Sequence, residues 1–208
     1  MSQQFDRSVA RLALEVCRYT YAAGVGDAQN RPDLDNSFDF ITRNSGRIDS
    51  PDGRPIPVRG YGKNVTSFAC VVPYADRNVV SYMGTETEFD RSDLVQFLVS
   101  LRDWSNNGKA KLVPFELDGS HIGRATWVTL EGLVHDGFLG EVKAVQDQIV
   151  AILQTQGGVG RPVLVTGHSQ GGAEAALATR ALAVAGFNVE ATYTFAAPRA
   201  GTAAFATA

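Results

Sequence analysis

The 208 residues carry 22 acidic and 19 basic side chains, a formal charge of −3, and 44% hydrophobic residues. That apolar content supports a buried core and excludes wholesale disorder, and at roughly 100–200 residues per domain the length fits one domain or little more. The slightly acidic balance gives no electrostatic reason to expect nucleic acid, no window reaches the ~18 consecutive apolar residues of a membrane span, and Cys17 and Cys70 are too few for a disulfide framework or a metal cluster.

The opening MSQQFDRSVARLALEVC lacks the basic-then-apolar order of a secretory signal, so a cytoplasmic protein with two reduced core thiols is expected. From Ser8 to Ala23, the residues Val9, Leu12, Val16 and Tyr19 fall three to four apart and predict a helix, which Gly24 and Gly26 stop. The stretch Asp27 to Pro57 is dense in Asp, Asn, Gly and Pro and reads as loop. SFACVVPY from Ser67 and NVVSYM from Asn78, joined by ADRN, predict a hairpin of adjacent strands. Leu94, Phe97, Leu98 and Leu101 repeat at helical spacing, which predicts a helix over Ser92 to Trp104. Asn106 to Gly132 is ambiguous, with short strands around LVPFEL and ATWVTL as one reading. After Gly137 a second helix carries Leu139, Val142, Val145, Ile149 and Leu153 on one face, and Gly157, Gly158 and Gly160 end it. VLVT then reads as a buried strand, Gly171 to Ala185 as an alanine-rich helix, and VEATYTFAA as another strand. Strands alternating with helices in this second half predict βαβ units and a parallel sheet.

The segment VLVTGHSQGGAEAALATR, Val163 to Arg180, contains Gly167-His168-Ser169-Gln170-Gly171, a match to G-x-S-x-G. Alone that match is weak. A β-branched strand running into it and an alanine-rich helix running out of it are the context that a nucleophile elbow requires. The serine must project its hydroxyl from a tight, strained turn, and Gly167 and Gly171 let strand and helix approach closely. The helix N-terminus then points N–H groups and a partial positive charge at the place where an oxyanion forms.

Four blocks in this order resemble the class 3, or fungal-type, lipases of the α/β-hydrolase fold. VVSYMGT (Val79 to Thr85) is similar to the family's F-R-G-T strand end, and VHDGF (Val134 to Phe138) to its V-H-x-G-F. VTGHSQGGAEAAL is similar to its T-G-H-S-L-G-G-A, and YTFAAPRAG (Tyr193 to Gly201) to its T-F-G-x-P-R-x-G. The resemblance implies a single α/β-hydrolase domain over residues 1–208: a mostly parallel central sheet flanked by helices, incomplete at its C-terminal end. It implies a serine carboxylic-ester hydrolase acting on a small-molecule or lipid ester, with no cofactor and no metal. Ser169 would be the nucleophile, and the backbone N–H groups of Thr85 and Gln170 would form the oxyanion hole. His168, Gly167, Gly171 and His135 would be supporting residues, and His121 a solvated loop residue.

Met83, Gln170 and Ala196 stand where the family usually has Arg, Leu and Gly, and none of the three changes removes a backbone donor. Where the family often has a lid helix with a D-W pair, the chain reads ETEFDRSDL, with Asp90-Arg91 at that place. That acidic stretch argues against a lipid-interface lid and for a small soluble ester. Beyond Ser169 the sequence holds Glu174 and Glu190 but no Asp and no His, whereas the fold orders its triad Ser, acid, His. The chain is therefore expected to be the N-terminal two-thirds of a hydrolase, with an unpaired sheet edge and little or no activity alone. The other two readings are a non-catalytic hydrolase-like protein that binds a lipid or partner, and a thioesterase.

Overall fold

A computed structural model of the chain describes residues 5–24, 32–43, 46–62, 65–84, 111–117 and 128–207. Helix α1 (Arg7–Gly24) begins where the Asp6 carboxylate accepts the N–H groups of Ser8 at 2.8 Å and Val9 at 3.2 Å, an N-cap that satisfies donors the helix cannot. Its face of Leu12, Ala13, Val16, Cys17 and Tyr19 is buried, in agreement with the predicted spacing.

The stretch read as loop is not all loop. Helix α2 (Pro32–Arg43) lies within it, and strand β1 (Ile56–Gly62) starts at its end. Proline at the first helical position needs no N–H there and is compatible with a helix start. The apolar contribution of α2 is small: Ile41 is fully buried, with Phe38 and Phe40 partly buried against the same core, too few positions to stand out among Asp and Asn. Strand β1 tolerates Pro57 and two glycines because, among the described strands, it pairs only with its neighbour β2.

Strands β2 (Val65–Pro73) and β3 (Asn78–Tyr82) form the predicted hairpin. The five-stranded sheet has the order β1-β2-β3-β6-β7, with β6 (Val163–His168) and β7 (Val189–Phe195). It is antiparallel through β3 and parallel from β3 through β6 to β7, so the C-terminal half is built as the alternating pattern predicts. LVPFEL and VTL do form strands. They are β4 (Leu112–Leu117) and β5 (Val128–His135), paired antiparallel in a separate two-stranded sheet. Helix α3 (Asp136–Thr155) follows β5 directly, α4 (Gln170–Val184) joins β6 to β7, and the short α5 (Ala203–Thr207) packs on β5. Predicted and observed helix ends differ by a residue or two.

Alternation along the strands divides the core into two layers, because successive side chains point to opposite faces. Val58, Ala69, Val71, Val80, Tyr82, Val163 and Val165 face α3 and α4, whereas Phe68, Cys70, Val72, Val79 and Leu164 face α1 and α2. Cys17 and Cys70 are free and buried, and burial pushes their thiols up to about 11 and about 12. β7 is half-buried, with β6 as its one partner among the described residues. The predicted helix over Ser92 to Trp104, the stretch ETEFDRSDL and His121 lie outside the described residues.

Ile149 is fully buried where α3 meets the sheet. Ile149→Ala is expected to cost about 2–5 kcal/mol of unfolding free energy in a urea titration. Exposed Gln154→Ala, one turn further along, is expected to stay within about 0.5 kcal/mol.

Candidate active site

The parallel strands β3, β6 and β7 present their carboxyl ends together, the place where open α/β sheets bind ligands. There β6 gives way to α4 through a single residue, Ser169, at φ 55° and ψ −128°. A positive φ is uncommon for serine, and holding one costs about 1–3 kcal/mol.

Local packing enforces it. The Ser169 N–H donates to the Phe195 carbonyl at the end of β7 (2.9 Å), and the Ser169 carbonyl accepts from Gly172 N–H (3.0 Å). A Cβ on Gly167 would run into the Gly171 carbonyl, and one on Gly171 would run into the Tyr82 carbonyl of β3. Strand, helix and neighbouring strand therefore meet backbone to backbone at this turn. Ser169 itself is 4% exposed.

Gln170 is the first residue of α4, so its N–H precedes the helical ladder at the positive end of the helix dipole. Its side chain runs along the helix, Nε2 donating to Glu174 Oε1 at 2.9 Å. Glu174 is buried between α4 and the sheet, and burial first, then the nearby Glu141, drives its carboxyl well above the usual range despite the Gln170 hydrogen bond. Among the described residues its second oxygen and Gln146 Nε2 have no hydrogen-bond partner, while Gln146 Oε1 accepts from the Tyr82 hydroxyl at 3.3 Å. Burial likewise raises Glu141 on α3 to about 7.

The other sequence-predicted residues scatter. His168 turns to α1, where its ring sits edge-on to Tyr21 and its Nδ1 lies 3.4 Å from the Tyr21 hydroxyl. Burial lowers its pKa, so the ring is neutral at neutral pH. His135 caps α3, its Nδ1 accepting the Phe138 N–H at 3.4 Å. Burial, opposed by Asp136, lowers its pKa too. Glu190 pairs with Arg77 at 2.7 Å, at the opposite end of β7 from Phe195. Thr85 lies outside the described residues, immediately after Gly84. Surface clefts of about 350 and 340 Å³ flank β7, and neither is lined by Ser169. Among the described residues no trio of His, Cys, Asp or Glu is gathered as a metal site, and no helix is long and apolar enough to cross a membrane.

The profile of the family described as Lipase (class 3) matches residues 95–208, more than half of the chain. The chain belongs to the class 3 lipase family. A comparison with curated protein sequences finds no match, but solved lipase structures share its fold. The native lipase–propeptide complex of Rhizomucor miehei matches 99% of the chain at 21% identity and a TM-score of 0.56, the chain spanning 57% of that protein. For a nonglycosylated Yarrowia lipolytica lipase the figures are 97%, 19%, 0.65 and 63%. For a lipase of Rhizopus microsporus var. chinensis they are 96%, 18%, 0.60 and 60%. The chain thus has the α/β-hydrolase fold of these lipases and spans under two-thirds of their length.

Sequence reasoning missed the Phe195 carbonyl that holds Ser169, and Tyr21. It also gave Ala196 no conformational role, although the position where the lipase pattern has Gly adopts φ 49°. Ala196→Gly is expected to raise stability by about 1 kcal/mol by removing a strained non-glycine residue, read as a shift in the urea midpoint. Ser169→Gly should give a similar gain.

The raised carboxyls make stability depend on pH. A carboxyl whose folded pKa exceeds its unfolded value contributes fully below the unfolded value, and that contribution is lost as pH rises through the folded one. For Glu141 the window runs from 4.5 to about 7, and its partial exposure screens the effect to about 1–2 kcal/mol. Glu174, raised in the same direction by its burial, adds to the loss. The melting temperature is expected to fall between pH 5 and pH 8, and the Glu141→Gln/Glu174→Gln double variant to flatten that profile in calorimetry.

Proposed function

We propose that this class 3 lipase chain is the nucleophile-bearing part of a serine carboxylic-ester hydrolase acting on lipid or small-molecule esters. The observation that carries the reading is Ser169 at positive φ between a parallel strand and the first turn of α4. The Ser169 hydroxyl attacks the ester carbonyl and passes its proton to a base. The N–H groups of Gln170 and Thr85 hold the resulting oxyanion. The alcohol leaves with that proton, and water then releases the carboxylic acid and restores the serine. No metal or organic cofactor is required by these steps.

The base and its acid belong, in this reading, to polypeptide outside these 208 residues. His168 is engaged with Tyr21 and His135 with α3, and Glu174 and Glu190 are held by Gln170 and Arg77. The chain alone would then keep at most the residual catalysis of an oxyanion hole, about 10³–10⁴ over water. The same engagement of both histidines is what favours a second reading, a non-catalytic hydrolase-like protein that binds a lipid or partner.

Hydrolysis of p-nitrophenyl butyrate by the full-length protein and by its Ser169→Ala variant separates the two. The variant is expected to lose turnover by about 10³-fold or more, with its melting temperature retained. Turnover that survives the substitution would remove Ser169 from the nucleophile role. An acyl-thioester hydrolysed faster than the oxygen ester would move the substrate to the thioesters.

A further inference from the structure

Where β3 and β6 separate, a residue from a third element stands between them. Their register runs from Asn78↔Val163 to Tyr82↔Gly167 and stops. The next N–H of β3, that of Met83, turns to the other neighbour and donates to the Phe68 carbonyl of β2 at 3.0 Å. The two strands then part at Gly84 and His168.

The Tyr21 hydroxyl of α1 fills the gap. It donates to the His168 backbone carbonyl at 3.2 Å and accepts the Gly84 N–H. Its remaining lone pair faces His168 Nδ1 at 3.4 Å, which donates to it in the Nδ1–H tautomer. The fit is close on both sides: a Cβ on Gly84 would collide with the hydroxyl and sit 2.9 Å from the His168 carbonyl. The sequence N–H of Gly84, O–H of Tyr21, C=O of His168 is what one further ladder hydrogen bond would be, lengthened by one oxygen atom. Each strand residue it grips immediately precedes one arm of the catalytic turn.

We propose that Tyr21 is a positioning residue of the ester-hydrolase site: its hydroxyl is an inserted rung that fixes the gap between the Gly84 strand end and the Ser169 turn. The inference rests on the ester-hydrolase reading above. The rung acts through backbone, so it influences the height of the barrier more than the grip on substrate. Burial keeps the phenol protonated far above neutral pH, so the hydroxyl donates throughout the working range. The edge-on contact of the Tyr21 ring with His168, centroids 5.8 Å apart, does not need the oxygen atom, which lets the two contributions be separated.

Tyr21→Phe keeps that ring and removes only the rung. The full-length protein, Tyr21→Phe and Ser169→Ala are compared for turnover of p-nitrophenyl butyrate, and the first two for amide hydrogen exchange by NMR. For Tyr21→Phe the expected result is kcat lowered about tenfold or more with KM within about twofold. Exchange at Gly84 should be about tenfold faster or more, with the amides of Ile149 and Leu153 in α3 keeping their protection. Both changes are required: unchanged kcat, unchanged Gly84 exchange, or a parallel loss of protection in α3 each overturns the positioning role. Turnover that does not depend on Ser169 overturns the ester-hydrolase reading itself and the positioning role with it. A Ser169-dependent enzyme indifferent to Tyr21→Phe overturns this inference alone.

Discussion

The chain leaves β6 and enters α4 through one residue, and it holds that residue at φ 55°, a conformation serine keeps only where the surroundings over-determine it. Three elements supply the constraint. The end of β7 accepts the serine's N–H, the first turn of α4 donates to its carbonyl and crowds Gly167, and β3 leaves no room for a side chain at Gly171. The contacts with β7 and β3 require β3, β6 and β7 to be neighbours with their carboxyl ends aligned, which the parallel half of the sheet provides. The antiparallel half, the two helical layers and the small β4–β5 sheet can be read as the scaffold that keeps those three strand ends in place.

Both faces of the sheet bury polar groups in an otherwise apolar core. Under α1 and α2, Thr20, Ser37, Ser81 and Thr166 are buried beside two thiols too deeply placed to ionise near neutrality. Under α3 and α4 the core encloses Tyr82, Gln146 and Glu174. One oxygen of the buried Glu174 carboxyl takes the Gln170 amide, and burial raises that carboxyl well above the usual range. Strained backbone gathers at the site, at Ser169 and Ala196. Stability is given up where local rules yield to the needs of a site.

Much of the fold was legible because its signals are periodic. α1, α3, α4 and the strands β2, β3, β6 and β7 each bury a face wide enough for spacing to reveal. α2 was hidden because its apolar contacts are few, Ile41 with Phe38 and Phe40 amid acidic residues, and β1 because a strand with Pro57 and one partner among the described strands need not alternate cleanly. The serine turn was legible for a different reason: glycine at both flanks is a steric necessity that leaves a mark in the sequence. Tyr21 left none. It lies two residues beyond Tyr19 on a helix whose apolar stripe is already accounted for, and its importance comes from residues 147 positions away. Only the folded backbone brings Gly84, His168 and Tyr21 to one oxygen atom.

That separation bears on when the site comes into being. A chain is made from its N-terminus at about 5–20 residues per second, so α1 is complete roughly 7–29 s before His168 leaves the ribosome. During that interval α1 can settle on the early hairpin of β2 and β3, whose Phe68, Cys70 and Val72 belong to its apolar layer. Tyr21 is then already poised at the end of β3 when β6 arrives to pair there. The newest strand is received by a gap whose width was set beforehand, and the turn carrying the serine closes against a template rather than searching for one.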